Sequence, residues 1–171
     1  QQIVFNDRQF AYDHLILAAG SGSSYFGHDE WREAAPPMKV LEHADEIRRR
    51  VLVALEEAEQ TPDPARRAVL QSVVVVGGGP SGCELSGSLM ELMAHALARD
   101  FKQLDPKQCK VTLVDPGDRV LRAMDPSLSA AAGTYLESVG VELLLGGRVQ
   151  TIEEGKVLVN TAAGCRCGLR R

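Results

Sequence analysis

Val73-Val74-Val75-Val76-Gly77-Gly78-Gly79-Pro80-Ser81-Gly82 decides how this chain is read. Four β-branched residues in a row predict a strand buried on both faces. The glycines at 77, 79 and 82 then have the spacing G-x-G-x-x-G, and a helical pattern starts at Ser81. Gly77 permits a tight turn out of the strand. Gly79, without a Cβ, lets the backbone approach a pyrophosphate, and Gly82 lets the helix pack close to the strand. The free N–H groups of a helix N-terminus complete a cradle for a diphosphate. The expectation is a dinucleotide-binding unit, with Gly77, Gly78, Gly79, Pro80, Ser81 and Gly82 as its cofactor-binding residues.

Downstream, Leu85, Leu89, Leu92, Met93, Ala96 and Leu97 line one face of a helix running to about Gln103. Lys110 to Asp115 predicts a second strand. A helix from Asp125-Pro126 to about Ser138, capped by Gly140, leads into a third strand over Val141 to Leu145. Val149 to Ile152 and Lys156 to Asn160 predict a hairpin around Glu154-Gly155. Cys165 to Arg171 has no periodicity. The fold class expected is α/β: a Rossmann-like parallel sheet with flanking helices plus a β-hairpin or meander.

Asp115 ends the second strand, where a carboxylate accepts hydrogen bonds from an adenosine ribose diol and repels a 2′-phosphate, favouring NADH over NADPH. It lies 33 residues beyond Gly82, where roughly 20 is usual. A longer helix and loop around Asp100 to Cys109 account for the excess. Arg119 is near enough in sequence to soften the NADH preference, and a surface salt bridge explains it as well.

Upstream, Ile3-Val4-Phe5, Asn6-Asp7 and a second extended run predict a hairpin. Leu15 to Ala19 is an apolar run ending at Gly20, which predicts a buried strand. Gly20 to Gly27 is a loop. Met38 to about Gln60 is helical, ending at Thr61-Pro62-Asp63-Pro64. Its Arg48-Arg49-Arg50 run is expected on a solvated face.

Composition excludes several classes. A formal charge of −4 and only 5% aromatic residues among 171 argue against a nucleic-acid surface. There is no stretch of 18 apolar residues and no signal peptide, which points to a cytoplasmic location. The chain lacks an initiator Met, so it is expected to start inside a longer protein. The four cysteines are expected as reduced thiols, and Cys165-x-Cys167 has no partner pair for zinc. Cys83 lies where a helix N-terminus lowers a thiol pKa, although a small residue packed on the sheet is the favoured reading. The four histidines are isolated. No Lys-Ser or Lys-Thr follows the glycines, so a P-loop is excluded, and no catalytic or metal-ligating residue is assigned.

Two stretches together carry a resemblance: Tyr12-Asp13-x-Leu15-x-x-Ala18-x-Gly20, and Gly77-Gly78-Gly79-Pro80-Ser81-Gly82-Cys83-Glu84-Leu85-Ser86-Gly87. The pattern resembles the middle of a flavoprotein with two dinucleotide-binding domains, in which an NAD(P)H domain interrupts an FAD domain. Within that pyridine nucleotide-disulfide oxidoreductase-like superfamily it resembles the type II NADH dehydrogenases (NADH:quinone oxidoreductases). The long helix after Ala18-x-Gly20 and Val114-Asp115-Pro116-Gly117-Asp118-Arg119-Val120-Leu121 carry that narrower likeness, over residues 3 to about 164.

The resemblance implies hydride transfer from NADH to FAD, then reduction of a membrane quinone in a respiratory chain. Residues 1–27 would be a remnant of the FAD domain, and 28–171 the NAD(H)-binding domain short of its last strand. The parent would hold FAD and lie peripherally on the inner face of a membrane; a homodimer is left open. The chain alone would be inactive. The glycine turn would hold the pyrophosphate and Asp115 the ribose. Glu84 matches an acidic position facing the nicotinamide end, although the helix dipole alone favours a carboxylate there. Val149 matches an adenine contact, although core packing explains it equally. The first FAD glycine motif, the C-terminal FAD portion and a closing Ala-x-Gly strand are missing from this pattern, as after a truncation or a shifted reading frame. Two alternatives stay open: a non-catalytic nucleotide-binding or interaction module, and an NADH-dependent flavoprotein reductase with a disulfide or ferredoxin acceptor.

Overall fold

The computed structural model describes residues 1–161 and the backbone of 164–170. Strands β1 (Gln2–Phe5) and β2 (Arg8–Ala11) form an antiparallel hairpin. Asn6 and Asp7 both take positive φ, 47° and 60°. A two-residue turn between right-twisted strands needs that pair, and Asn and Asp tolerate it best. A 3-10 turn over Asp29–Arg32 precedes α1 (Leu41–Gln60) and α2 (Pro64–Leu70). Next come β3 (Ser72–Val76), α3 (Pro80–Asp100), a 3-10 turn over Pro106–Gln108 and β4 (Lys110–Asp115). The chain then forms α4 (Pro126–Ser138), β5 (Val141–Leu145), β6 (Arg148–Glu153), β7 (Lys156–Thr161) and β8 (Gly164–Arg170).

β3, β4 and β5 make a parallel sheet in that spatial order, with Val75 opposite Leu113 and Leu113 opposite Leu143. Its crossovers are α3 and α4. The period-2 alternation of a strand splits its side chains between two layers. Val75, Val111, Leu113 and Val141 join Val51 and Leu55 of α1 and Leu89 and Met93 of α3 in the main core. Val74, Val114 and Leu144 turn the other way, onto Val157 and Val159 of β7. Burial on both faces is why these strands read as continuous apolar runs. The antiparallel sheet β6-β7-β8 covers the second face. The α/β parallel-sheet expectation, meander included, is borne out.

Local signals explain most boundaries. Asp125 accepts the Ser127 N–H at 2.8 Å with Pro126 in the first turn, which starts α4. Gly140, at φ 95°, follows its end. α1 begins at Leu41 rather than Met38. Pro62 and Pro64 do more than end α1: Asp63 caps the Ala65 N–H at 2.9 Å and Pro64 opens α2, a helix the sequence reading lacks. Glu46 pairs with Arg49 and Arg50, so most of the basic run does lie on an ion-paired, solvated face.

Two expectations are corrected. Leu15 to Ala19 forms no strand, and Ile16 and Leu17 are 89% and 82% exposed. Among the described residues no strand offers this run a ladder, and an unpartnered strand in water has nothing to bury against. The tail, read as aperiodic, instead has the backbone of β8 paired antiparallel with β7. The expectation for Cys165 and Cys167 concerns side chains outside the described residues.

Candidate nucleotide-binding site

β3 delivers the chain into the glycine turn with its hydrogen-bond ladder intact: the Gly77 N–H donates to Val114 O at 2.8 Å. Gly77 itself has φ 108°, a conformation that side-chain-bearing residues avoid. A Cβ on Gly82 would run into the Gly77 carbonyl oxygen. The close approach at Gly82 is therefore helix against turn more than helix against strand. A Cβ on Gly79 would meet open space. The first turn of α3 follows, with Gly79 as N-cap and Pro80 supplying no N–H. Among the described residues the N–H groups of Gly79, Ser81 and Gly82 have no protein partner, while the Cys83 N–H bonds Gly79 O at 3.0 Å. These free donors lie together at the positive end of a 21-residue helix.

Gly78 behaves differently from its neighbours. Its N–H donates to Asp115 Oδ2 at 2.7 Å. Its carbonyl accepts the Leu121 N–H at 2.7 Å and the Cys83 thiol at 3.6 Å. Both backbone polar groups of Gly78 are thus occupied inside the protein. Asp115 Oδ1 accepts the Gly117 N–H at 2.7 Å, and the Asp115 and Gly117 carbonyls accept from Gly147 and Gly146. The carboxylate is thus fixed at the end of β4, half-buried, with lone pairs still directed outward. Leu121 adopts φ 52°, held there by its bond to Gly78.

The remaining sequence candidates separate. Glu84 is exposed and lines an open cleft of about 510 Å³. Ser81, Glu84 and Leu85 of α3 form one wall, and Met38, Val40 and Leu41, where the chain leads into α1, form the other. Arg119 is spent on backbone carbonyls, those of Met124 at 3.3 Å and Arg122 at 3.2 Å. Hydrogen bonds from Ser127, with a smaller contribution from the Arg119 charge, lower the Asp125 carboxyl pKa. Val149 packs with Val157 and Val159 in the second core cluster. Sequence reasoning missed the α1 wall and Arg122, whose side chain lies across Gly117. The uncapped, apolar start of α1 was the one available signal.

Burial, reinforced by the Asp115 and Glu84 charges, raises the Cys83 thiol pKa. Desolvation wins over the helix terminus, and Cys83 is packing. Burial pushes Cys109 up to about 11. Among the described residues no cluster of His, Cys, Asp and Glu could hold a metal ion. None of their helices is long and apolar enough to cross a membrane.

Residues 1–166 match the model of the pyridine nucleotide-disulphide oxidoreductase family. The chain is 42% identical over 156 residues to the type II NADH:quinone oxidoreductase Ndh of Mycobacterium tuberculosis, covering 91% of this chain and 34% of that protein. It is 40% identical to NdhA of the same organism, covering 90% and 33%. The chain therefore spans about a third of the length of these curated relatives. In fold it resembles NDH2 from Plasmodium falciparum, solved in complex with NADH, at TM-score 0.78 and 19% identity, covering 92% of this chain and 32% of that one.

Proposed function

We propose that this chain, which belongs to the pyridine nucleotide-disulphide oxidoreductase family, is the NADH-binding part of a flavin-dependent NADH:quinone oxidoreductase. The observation that carries the reading is the set of unpartnered N–H groups on Gly79, Ser81 and Gly82 at the start of α3, with a fixed carboxylate on Asp115 at the end of β4. Those residue types suit a dinucleotide: the donors and helix terminus suit a pyrophosphate, and the carboxylate suits a ribose diol. Gly77 and Gly78 shape this cradle rather than donate to it, and Pro80 keeps its first helical position free of a competing donor. Glu84, on the cleft wall, is assigned to the nicotinamide end. Val149 acts as support beneath the adenine side.

When bound, NADH supplies the hydride and a flavin accepts it; the protein's contribution is binding and orientation. No residue of this chain is assigned to FAD. Residues 1–27 are read as part of an FAD-binding domain and 28–171 as the NAD(H)-binding domain. Quinone reduction and peripheral attachment to the inner face of a membrane belong to the whole protein, and the names of the M. tuberculosis relatives support the first of these. Homodimerisation is part of this proposal only as a property of the whole protein.

Titrating NADH against the chain and against Asp115→Ala tests the assignment. The variant loses a charged acceptor and should bind about tenfold more weakly. Equal affinity would sink the ribose assignment, and absence of binding to the unaltered chain would sink the nucleotide reading.

A further inference from the structure

We infer that Arg122 sets how strictly the site rejects a phosphate on the adenosine ribose, so that NADPH is disfavoured but admitted; this rests on the nucleotide reading above. Sequence proximity pointed to Arg119 as the modifying cation, but its guanidinium is bound to the Met124 and Arg122 carbonyls. Arg122 is different. Its Cδ occupies the space where a Cβ on Gly117 would project, and its Nε lies 3.1 Å from that point. Asp115 Oδ1 lies 2.8 Å from the same point. Cation and ribose carboxylate therefore flank one position without bonding to each other. The only acid paired with Arg122 among the described residues is Asp118, at 4.0 Å, with side chains 64% and 87% exposed. An exposed pair at that range holds weakly and gives way to a better anion.

Two features bear on the repulsion that Asp115 alone would exert on a 2′-phosphate. Both its oxygens already accept backbone N–H bonds, from Gly78 and Gly117, which fix where the carboxylate sits. Arg122 then offers a planar guanidinium suited to bidentate phosphate contact. Gly117 matters because a side chain there would displace Arg122 from this path.

The test titrates the 171-residue chain and three variants with NADH and with NADPH at low salt. The unaltered chain should bind NADPH within about tenfold of NADH. Arg122→Gln should weaken NADPH about tenfold further and leave NADH within about twofold. Arg122→Lys, which keeps the charge, should retain part of the NADPH affinity. Arg119→Gln should shift both nucleotides together, because it loosens the loop rather than a ligand contact. A chain that binds NADH but not NADPH overturns the inference while sparing the nucleotide reading. So does an Arg122→Gln variant that weakens both equally. A chain that binds neither overturns both.

Discussion

Residues 1–37 and residues 72–161 are both rich in apolar runs, yet they have opposite fates. The second region contains the fully buried side chains of Leu113, Val111 and Val159. The first contributes no buried residue; the earliest in the chain is Val51. Val73 to Val76 and Leu15 to Ala19 look alike as sequence. The difference is that β3 has a parallel neighbour and a layer on each face, and Leu15 to Ala19 has neither among the described residues. An apolar run states a demand for burial; topology decides whether the demand is met.

Substitutions can break or sharpen this contrast. Leu113→Ala, at the centre of the parallel sheet, should cost about 3 kcal/mol in denaturant unfolding, since the cavity is walled by strands and α3. A loss below about 1 kcal/mol would mean that this core is loosely packed. Gly82→Ala should cost about 2 kcal/mol, because its Cβ meets backbone that cannot rotate away, and should abolish NADH binding in titration. Retained binding would show that the turn can relax. Leu17→Ser, its counterpart in the first region, should change stability by less than about 0.5 kcal/mol; a larger loss would reveal burial of that run.

A smaller effect probes the tie between the first region and α1. Arg50 donates to Glu46 at 2.6 Å and to the Glu33 carbonyl at 2.8 Å, anchoring the 29–35 segment to α1. Hydrogen bonds from Arg49 and Arg50 hold the Glu46 carboxyl at about 2, well below its ordinary 4.5. A depressed folded-state pKa contributes stability above pH 4.5 that is lost as pH falls toward 2. The melting-temperature gap between the unaltered chain and Glu46→Gln should therefore shrink across that window. A gap unchanged at low pH would show that the pairing is inconsequential.

Much of the second region was legible in the sequence. Lys110–Asp115 and Val141–Leu145 are strands at the residues expected, because burial on both faces leaves unbroken apolar runs. The glycine turn was legible because Gly77 and Gly82 answer local steric needs. What stayed hidden was set by distant partners. β8 takes its order from β7 and carries no periodicity of its own. The α1 wall of the cleft depends on how two helices distant in sequence pack. The different bonding of Arg119 and Arg122 follows from the path of the 117–124 loop, which no spacing rule encodes. Nor could spacing tell that Gly78 points its N–H at Asp115 rather than at a ligand.

That last contact reaches beyond geometry. Gly78 is the shared bearing of the Asp115 carboxylate and the 117–124 loop, since Asp115 accepts from its N–H and Leu121 donates to its carbonyl. A displacement at either contact is passed to the other through the two amide planes joined at the Gly78 Cα. Variants at Asp115 and in the 117–124 loop should therefore be epistatic, their free energies failing to add. A lineage altering its nucleotide preference along this path would have to change both ends in step.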